Sequence, residues 1–141
     1  MMKNLAAFSP GALAYVTLAM PGFLKPALGK LAPAAFPATV KLLHLVSYEH
    51  MGVARINCVK GCTCRPTDVD AHRHKPGERN VSVYVEASLD VNFTGRVAAS
   101  DGSRKPCVVA LRMLKRTSSG EHRWVLTRAT VSNPERRRGG N

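Results

Sequence analysis

The sequence predicts an all-β protein: a small β-sandwich of jelly-roll-like form, preceded by an irregular or weakly helical segment rich in Ala and Pro. Three observations predict it. From Asn80 to Phe93 apolar and polar residues alternate without a break, with Val81, Val83, Val85, Ala87, Leu89, Val91 and Phe93 on one parity. Successive strand side chains point to opposite faces, so this is a long strand with one buried face. Further runs rich in β-formers lie beyond residue 40, separated by turn residues. Four cysteines fall in that same part of the chain, an even count that suits disulfides stapling a small core.

Residues 1–40 differ from everything after them. Pro10, Pro21, Pro26, Pro33 and Pro37 break any long helix, and no apolar run reaches the length that spans a bilayer. Lys3 followed by Leu5 to Met20 has the outline of a secretory signal. Pro10-Gly11 interrupts its apolar core, and small residues suited to cleavage come only at Ala32 to Ala35. An acid-free, Ala-rich leader also resembles an organelle transit peptide, though without the usual Arg and Ser. The secretory or extracellular reading is preferred, with an organellar address as the alternative. The expected organisation is a leader or disordered segment over 1–40, a sandwich domain over 41–133 and a disordered basic tail over 134–141.

Within the sandwich domain, Leu42 to Tyr48 is a first apolar run. Val53 to Val59 is a second, with Ala54, Ile56 and Cys58 on one parity. Gly61 falls in a turn. Asp68 to Arg79 reads as a polar loop, with Pro76-Gly77 as its turn signal. After the long strand, Gly95 to Pro106 is a loop around Asp101-Gly102. Cys107 to Lys115 is apolar on both parities, as a central strand is. Thr117 to Gly120 is a turn, and His122 to Val131 closes the set.

The chain of 141 residues carries 21 Lys and Arg against 9 Asp and Glu, for a formal charge of +12. No dense basic stripe emerges. A spread positive surface attracts polyanions, whether sulfated or uronic glycan, nucleic acid or an anionic membrane. Two N-glycosylation sequons, Asn80-Val-Ser82 and Asn92-Phe-Thr94, begin on the polar parity of the long strand, the side that has solvent for a glycan. Joining Cys62 to Cys64 across one residue is geometrically poor. That leaves Cys58 with either Cys62 or Cys64, and the remaining partner with Cys107.

Several segments in order carry a resemblance: Ser47-Tyr-Glu-His-Met-Gly52, Cys58-Val-Lys-Gly-Cys-Thr-Cys64, Val69-Asp-Ala-His72, Cys107-Val-Val-Ala-Leu and Ser118-Ser-Gly-Glu-His-Arg-Trp124. Together, over about residues 42–131, they resemble the C-terminal β-domain that follows the SGNH (GDSL-type) hydrolase domain in certain plant and green-algal proteins. The resemblance implies a β-sandwich appendage of a secretory-pathway protein that acts on cell-wall or glycan material. The Gly-Asp-Ser nucleophile block and the Asp-x-x-His pair of an SGNH triad are absent from this sequence, and Asp68, Asp70 and His72 have the wrong spacing. No catalytic residue carries over, because none of the matched positions is catalytic.

Other chemistry is weighed on the residues themselves. Cys58, Cys62, Cys64, His72 and His74 have donors that suit zinc, but their spacing is no common finger or knuckle arrangement. No metal and no cofactor are expected. Asp68, Asp70 and His72 share a parity and could form an acid–base group or a calcium corner, yet acid–base catalysis also needs a pocket and a substrate pose, and a polar loop before the main strand is the simpler reading. Tyr84 is the one aromatic on the polar parity of the long strand, and Trp124 is the single tryptophan. Exposed aromatics stack on the apolar face of a sugar, although an inter-sheet anchor is the simpler role for Trp124.

These readings converge on a non-catalytic accessory or glycan-binding domain for acidic or cell-wall polysaccharide, with Tyr84, Trp124 and Arg112 as contact residues. A basic polyanion- or nucleic-acid-binding module is one alternative. Against it, no recognised nucleic-acid motif is present and aromatics are sparse, so no specific nucleic acid is expected. A fragment of an esterase-like protein with no activity of its own is the other alternative.

Overall fold

A computed structural model describes residues 5–7, 9–19, 36–73, 81–94, 105–117 and 119–134. The described residues form nine strands and no helix. These are β1 (Leu5–Ala7), β2 (Leu13–Leu18), β3 (Phe36–Val46), β4 (Val53–Lys60), β5 (Cys62–Cys64), β6 (Thr67–Asp70), β7 (Val83–Phe93), β8 (Cys107–Met113) and β9 (Trp124–Ser132). They build two sheets, ordered β1-β9-β3-β7-β5 and β2-β8-β4-β6, and every strand pair is antiparallel. The all-β sandwich expected from the sequence is what the chain forms.

Alternation explains how each sheet buries one face. In β3, Ala38, Val40, Leu42 and Val46 point inward opposite Val91, Leu89, Ala87 and Val83 of β7. From the other sheet, Ile56 of β4 and Val109, Leu111 and Met113 of β8 meet them. Burying such side chains contributes roughly 1.5–3 kcal/mol each, and this inter-sheet layer is the core.

The N-terminal reading needs correction. Leu13–Leu18 is no irregular leader segment but an edge strand, paired with β8 from Leu13↔Arg112 to Leu18↔Cys107. It buries Val16 and Leu18. The same alternation rule applies there, and Tyr15-Val16-Thr17 is β-forming sequence. Gly11, at φ 80°, turns the chain into it, and the Gly11 N–H donates to the Met113 carbonyl at 2.8 Å. Strand β3 likewise starts at Phe36 rather than beyond residue 40, and it carries Pro37.

Two further differences matter for the site. Strand β6 takes up the start of the expected polar loop, because Asp68 and Asp70 alternate with half-buried Thr67 and Val69. The long strand buries its odd parity only toward its C-terminal end, at Leu89, Val91 and Phe93. Val83 and Val85 are 37% and 38% exposed. Asn80, His74 and residues 135–141 lie outside the described residues.

Both disulfides sit at one corner. Gly61, at φ 73°, carries the chain from β4 in one sheet to β5 in the other. Cys58–Cys64 and Cys62–Cys107 then each tie one sheet to the other. The pairing left open by the sequence is thereby decided.

Candidate functional site

The three expected glycan-contact residues fall in three different places. Trp124 is 4% exposed and lies between the sheets. Its ring stacks on that of His44 with centroids 4.8 Å apart, and its indole N–H donates to the Val69 carbonyl of the opposite sheet at 3.2 Å. A ring this buried, with His44 stacked on it, does not reach a surface sugar, so Trp124 is an inter-sheet anchor. Tyr84 is 57% exposed on the outer face of the five-stranded sheet, opposite Leu45. Arg112 is exposed on the outer face of the four-stranded sheet, on the far side of the molecule.

Around Arg112 the register sets out a continuous surface. One row across β2, β8, β4 and β6 reads Leu13, Arg112, Arg55 and Asp68. The next reads Tyr15, Ala110 and Asn57. Tyr15 is 59% exposed, the most open of the large apolar side chains among the described residues. It sits diagonally from Arg112, with only the small Ala110 directly beside it. Tyr15 is the site residue that sequence reasoning passes over, because it falls in a segment that reads as a leader. Its alternation with Val16 and Leu18 was the signal available.

Like charges directly opposite on a sheet repel, and Arg55 faces Arg112. Asp68 relieves this. Its carboxylate accepts from Arg55 at 2.8 and 3.1 Å and from Arg116 at 2.6 Å. The two guanidinium partners push the Asp68 pKa down to about 2. Arg112 makes no such ion pair among the described residues, so it is the cation of this row left to meet an anion from outside.

Two hollows belong to other parts of the molecule. A cavity of about 330 Å³ lies beside β1 and β2, lined among others by Ala7, Ser9, Leu13, Met113, Trp124 and Leu126. Its lining is mostly apolar, which suits hydrocarbon better than a polyhydroxylated chain. A second, of about 420 Å³, lies where the Glu-His-Met-Gly and Gly-Glu-His-Arg motifs meet, lined by His50, Gly120, Glu121, His122 and Arg123. Here His50, at φ 66°, contacts the Glu121 carboxylate through Nδ1 at 2.5 Å.

That motif junction is a tightly bonded strap. The Gly52 N–H donates to the Arg123 carbonyl and the Arg123 N–H to the His50 carbonyl, both at 2.8 Å. The Ser119 hydroxyl donates to the Met51 carbonyl and accepts from the Glu121 N–H at 3.0 Å. A Cβ on Gly52 would lie 2.8 Å from the His122 Cα, so the glycine of this motif is required by close packing. Asp68 and His72 do not converge. Asp68 serves the arginines, whereas His72 sits past the far end of β6, bridged to Ser47.

Asn92 is exposed on the outer face of the five-stranded sheet, between Pro37 and Thr63, on the same face as Tyr84. A two-sheet antiparallel sandwich whose four-stranded sheet presents Tyr15 and Arg112 on its outer face is the class of protein that fold and surface define. No family model, no curated protein and no solved structure matches the chain.

Proposed function

We propose that this domain is a non-catalytic accessory module of the secretory pathway that binds an acidic polysaccharide on the outer face of its four-stranded sheet. The observation that carries the reading is Tyr15 standing exposed one row from Arg112, which has no ion pair among the described residues. An aromatic ring covers the apolar face of a sugar, and a guanidinium receives a uronate or sulfate group bidentately. Asn57, in the row of Tyr15, adds an amide that both donates and accepts. The formal charge of +12 draws a polyanion toward this face. The two disulfides and the exposed sequon at Asn92 favour an oxidising, glycosylating compartment. The resemblance to the β-domain of SGNH-type proteins points to the same setting.

The test is affinity electrophoresis in gels that contain polygalacturonate, a sulfated glycan or a neutral glucan. The acidic gels retard the protein and the neutral one does not. Tyr15→Ala and Arg112→Ala each weaken retention at least about fivefold, the loss of roughly 1 kcal/mol that one stacked ring or charged hydrogen bond supplies, and Tyr84→Ala leaves it unchanged. Absence of retention in every gel ends this reading. Equal retention of single-stranded DNA at physiological salt replaces it with a general polyanion binder.

A further inference from the structure

We propose that the hollow beside β1 and β2 is a binding site for a neutral aliphatic alcohol of about ten carbon atoms. The hollow measures about 330 Å³. A dry apolar cavity of about 150 Å³ holds one benzene ring, so about ten to thirteen carbons fit here. Protein interiors leave few voids larger than a water molecule, and a space of this size follows from the residues that surround it.

Alanines make the space. On β2 the inward positions run Ala14, Val16, Leu18, and on β4 they run Ala54, Ile56. The first of each run is the smallest, and both alanines line the hollow. The register puts Ala54 opposite Met113 of β8. On its other side the Met113 N–H donates to the Ala12 carbonyl at 2.8 Å. The end row of the four-stranded sheet therefore reads Ala12, Met113, Ala54. From the five-stranded sheet, Ala7 lies opposite Trp124, and both line the same space. A leucine at Ala14 or Ala54 would take up the room a ligand needs.

The lining selects the ligand. Trp124, Leu126, Ala54 and Met113 are buried, whereas Ser9 and Leu13 are exposed, so the hollow reaches from the core to solvent. Among the described residues that line it, none is charged. A carboxylate drawn inside would shed its water with no cation to replace it, whereas a methylene chain gains by leaving water. Ser9 supplies the single side-chain hydroxyl of these residues, and the Trp124 indole N–H is already given to the Val69 carbonyl. One hydroxyl on the ligand thus meets one partner, at the exposed end. The unbranched Met113 side chain adapts to the shape of an alkyl chain. This site does not rest on the polysaccharide reading. Ala14 and Tyr15 are neighbours on β2 and point to opposite faces of the sheet.

The experiment uses the full chain with its disulfides intact. Trp124 is the single tryptophan and lines the hollow, so its emission reports the ligand directly. Decanol is expected to change that emission saturably, with one molecule bound per chain. Affinity rises about fourfold per methylene from hexanol through octanol to decanol. Decanoate at neutral pH binds about tenfold or more weakly than decanol, for want of a cation in the lining. Ala14→Leu and Ala54→Leu each weaken decanol binding about tenfold or more while the near-ultraviolet dichroism is kept, and Tyr15→Ala leaves decanol binding unchanged. Nuclear Overhauser contacts from decanol to the Ala7 and Met113 methyl groups locate the ligand without any variant. Absence of a saturable change up to the solubility of decanol overturns the proposal. So does decanoate that binds as tightly as decanol, which marks adsorption on the basic surface. Folded Ala14→Leu and Ala54→Leu proteins that bind decanol like the parent chain overturn it as well. Where a variant loses its fold, missing contacts at Ala7 and Met113 in the parent chain do the same.

Discussion

His44 is a titratable ring between two sheets, 2% exposed, with Trp124 on its face and no hydrogen-bond partner on Nδ1 among the described residues. Burial lowers its pKa below the ordinary value of 6.5. The unfolded chain therefore takes up a proton below pH 6.5 that the folded chain still refuses. Stability is whole above that pH and is lost as the pH falls toward the depressed folded value, at no more than about 1.4 kcal/mol per pH unit. Thermal melts between pH 7.5 and 5 check this: the melting temperature falls on acidification, and His44→Leu flattens the fall over that range. Gly61 acts at the same scale. A Cβ on Gly61 would lie 2.1 Å from the Pro106 carbonyl oxygen, at a φ of 73° that L-residues resist. Gly61→Ala thus destabilises the corner by about 2 kcal/mol or more, read as a lower urea midpoint at unchanged slope.

Among elements, the two disulfides close loops of very different length, with separations of 6 residues for Cys58–Cys64 and 45 for Cys62–Cys107. Loop-closure entropy assigns them about 2 and about 4 kcal/mol respectively. The double variant Cys62→Ala/Cys107→Ala is accordingly the more damaging, and parallel chemical denaturation of the two double variants ranks them. The strands themselves were legible where apolar β-formers alternate with polar residues, as in β4 and β7, or fill both parities, as in β8. Strand β2 was not, because Leu, Ala and Met around it read equally well as a leader. Strand β6 was not, because Asp68 and Asp70 are polar for a reason visible only across the sheet, where Asp68 holds Arg55 and Arg116. That tether yields a prediction on the proposed ligand face. Asp68→Asn frees two guanidinium groups, so retention by an acidic polysaccharide strengthens a few-fold. Lost exposed ion pairs cost about 1 kcal/mol or less of stability. Affinity electrophoresis beside a melt separates the two effects, and weaker retention would place the ligand elsewhere.

At the scale of the whole molecule, the sandwich presents two outer faces, and the sequence could not say which residues share one. Tyr84 and Arg112 read as a single contact set from their exposure alone, yet they belong to different sheets, and the residue that completes the Arg112 face is Tyr15. Strand order is a property of long-range pairing, which a linear pattern does not contain. The assignment of faces makes the last prediction. Asn92 and Tyr84 lie on the same outer face of β7, eight residues or about 26 Å apart, whereas Tyr15 and Arg112 lie behind both sheets. A glycan carried on Asn92 would crowd only the five-stranded face. Protein made in a glycosylating eukaryotic host and protein stripped of its N-glycan should then be retarded equally by an acidic polysaccharide, once intact masses confirm both forms. A ligand bound along Tyr84 would instead be obstructed, and stripping the glycan would strengthen its retention. Combined with Tyr15→Ala, the comparison reports on the face directly: loss in that variant with indifference to the glycan requires the four-stranded sheet, because no contact made on the opposite sheet produces both results.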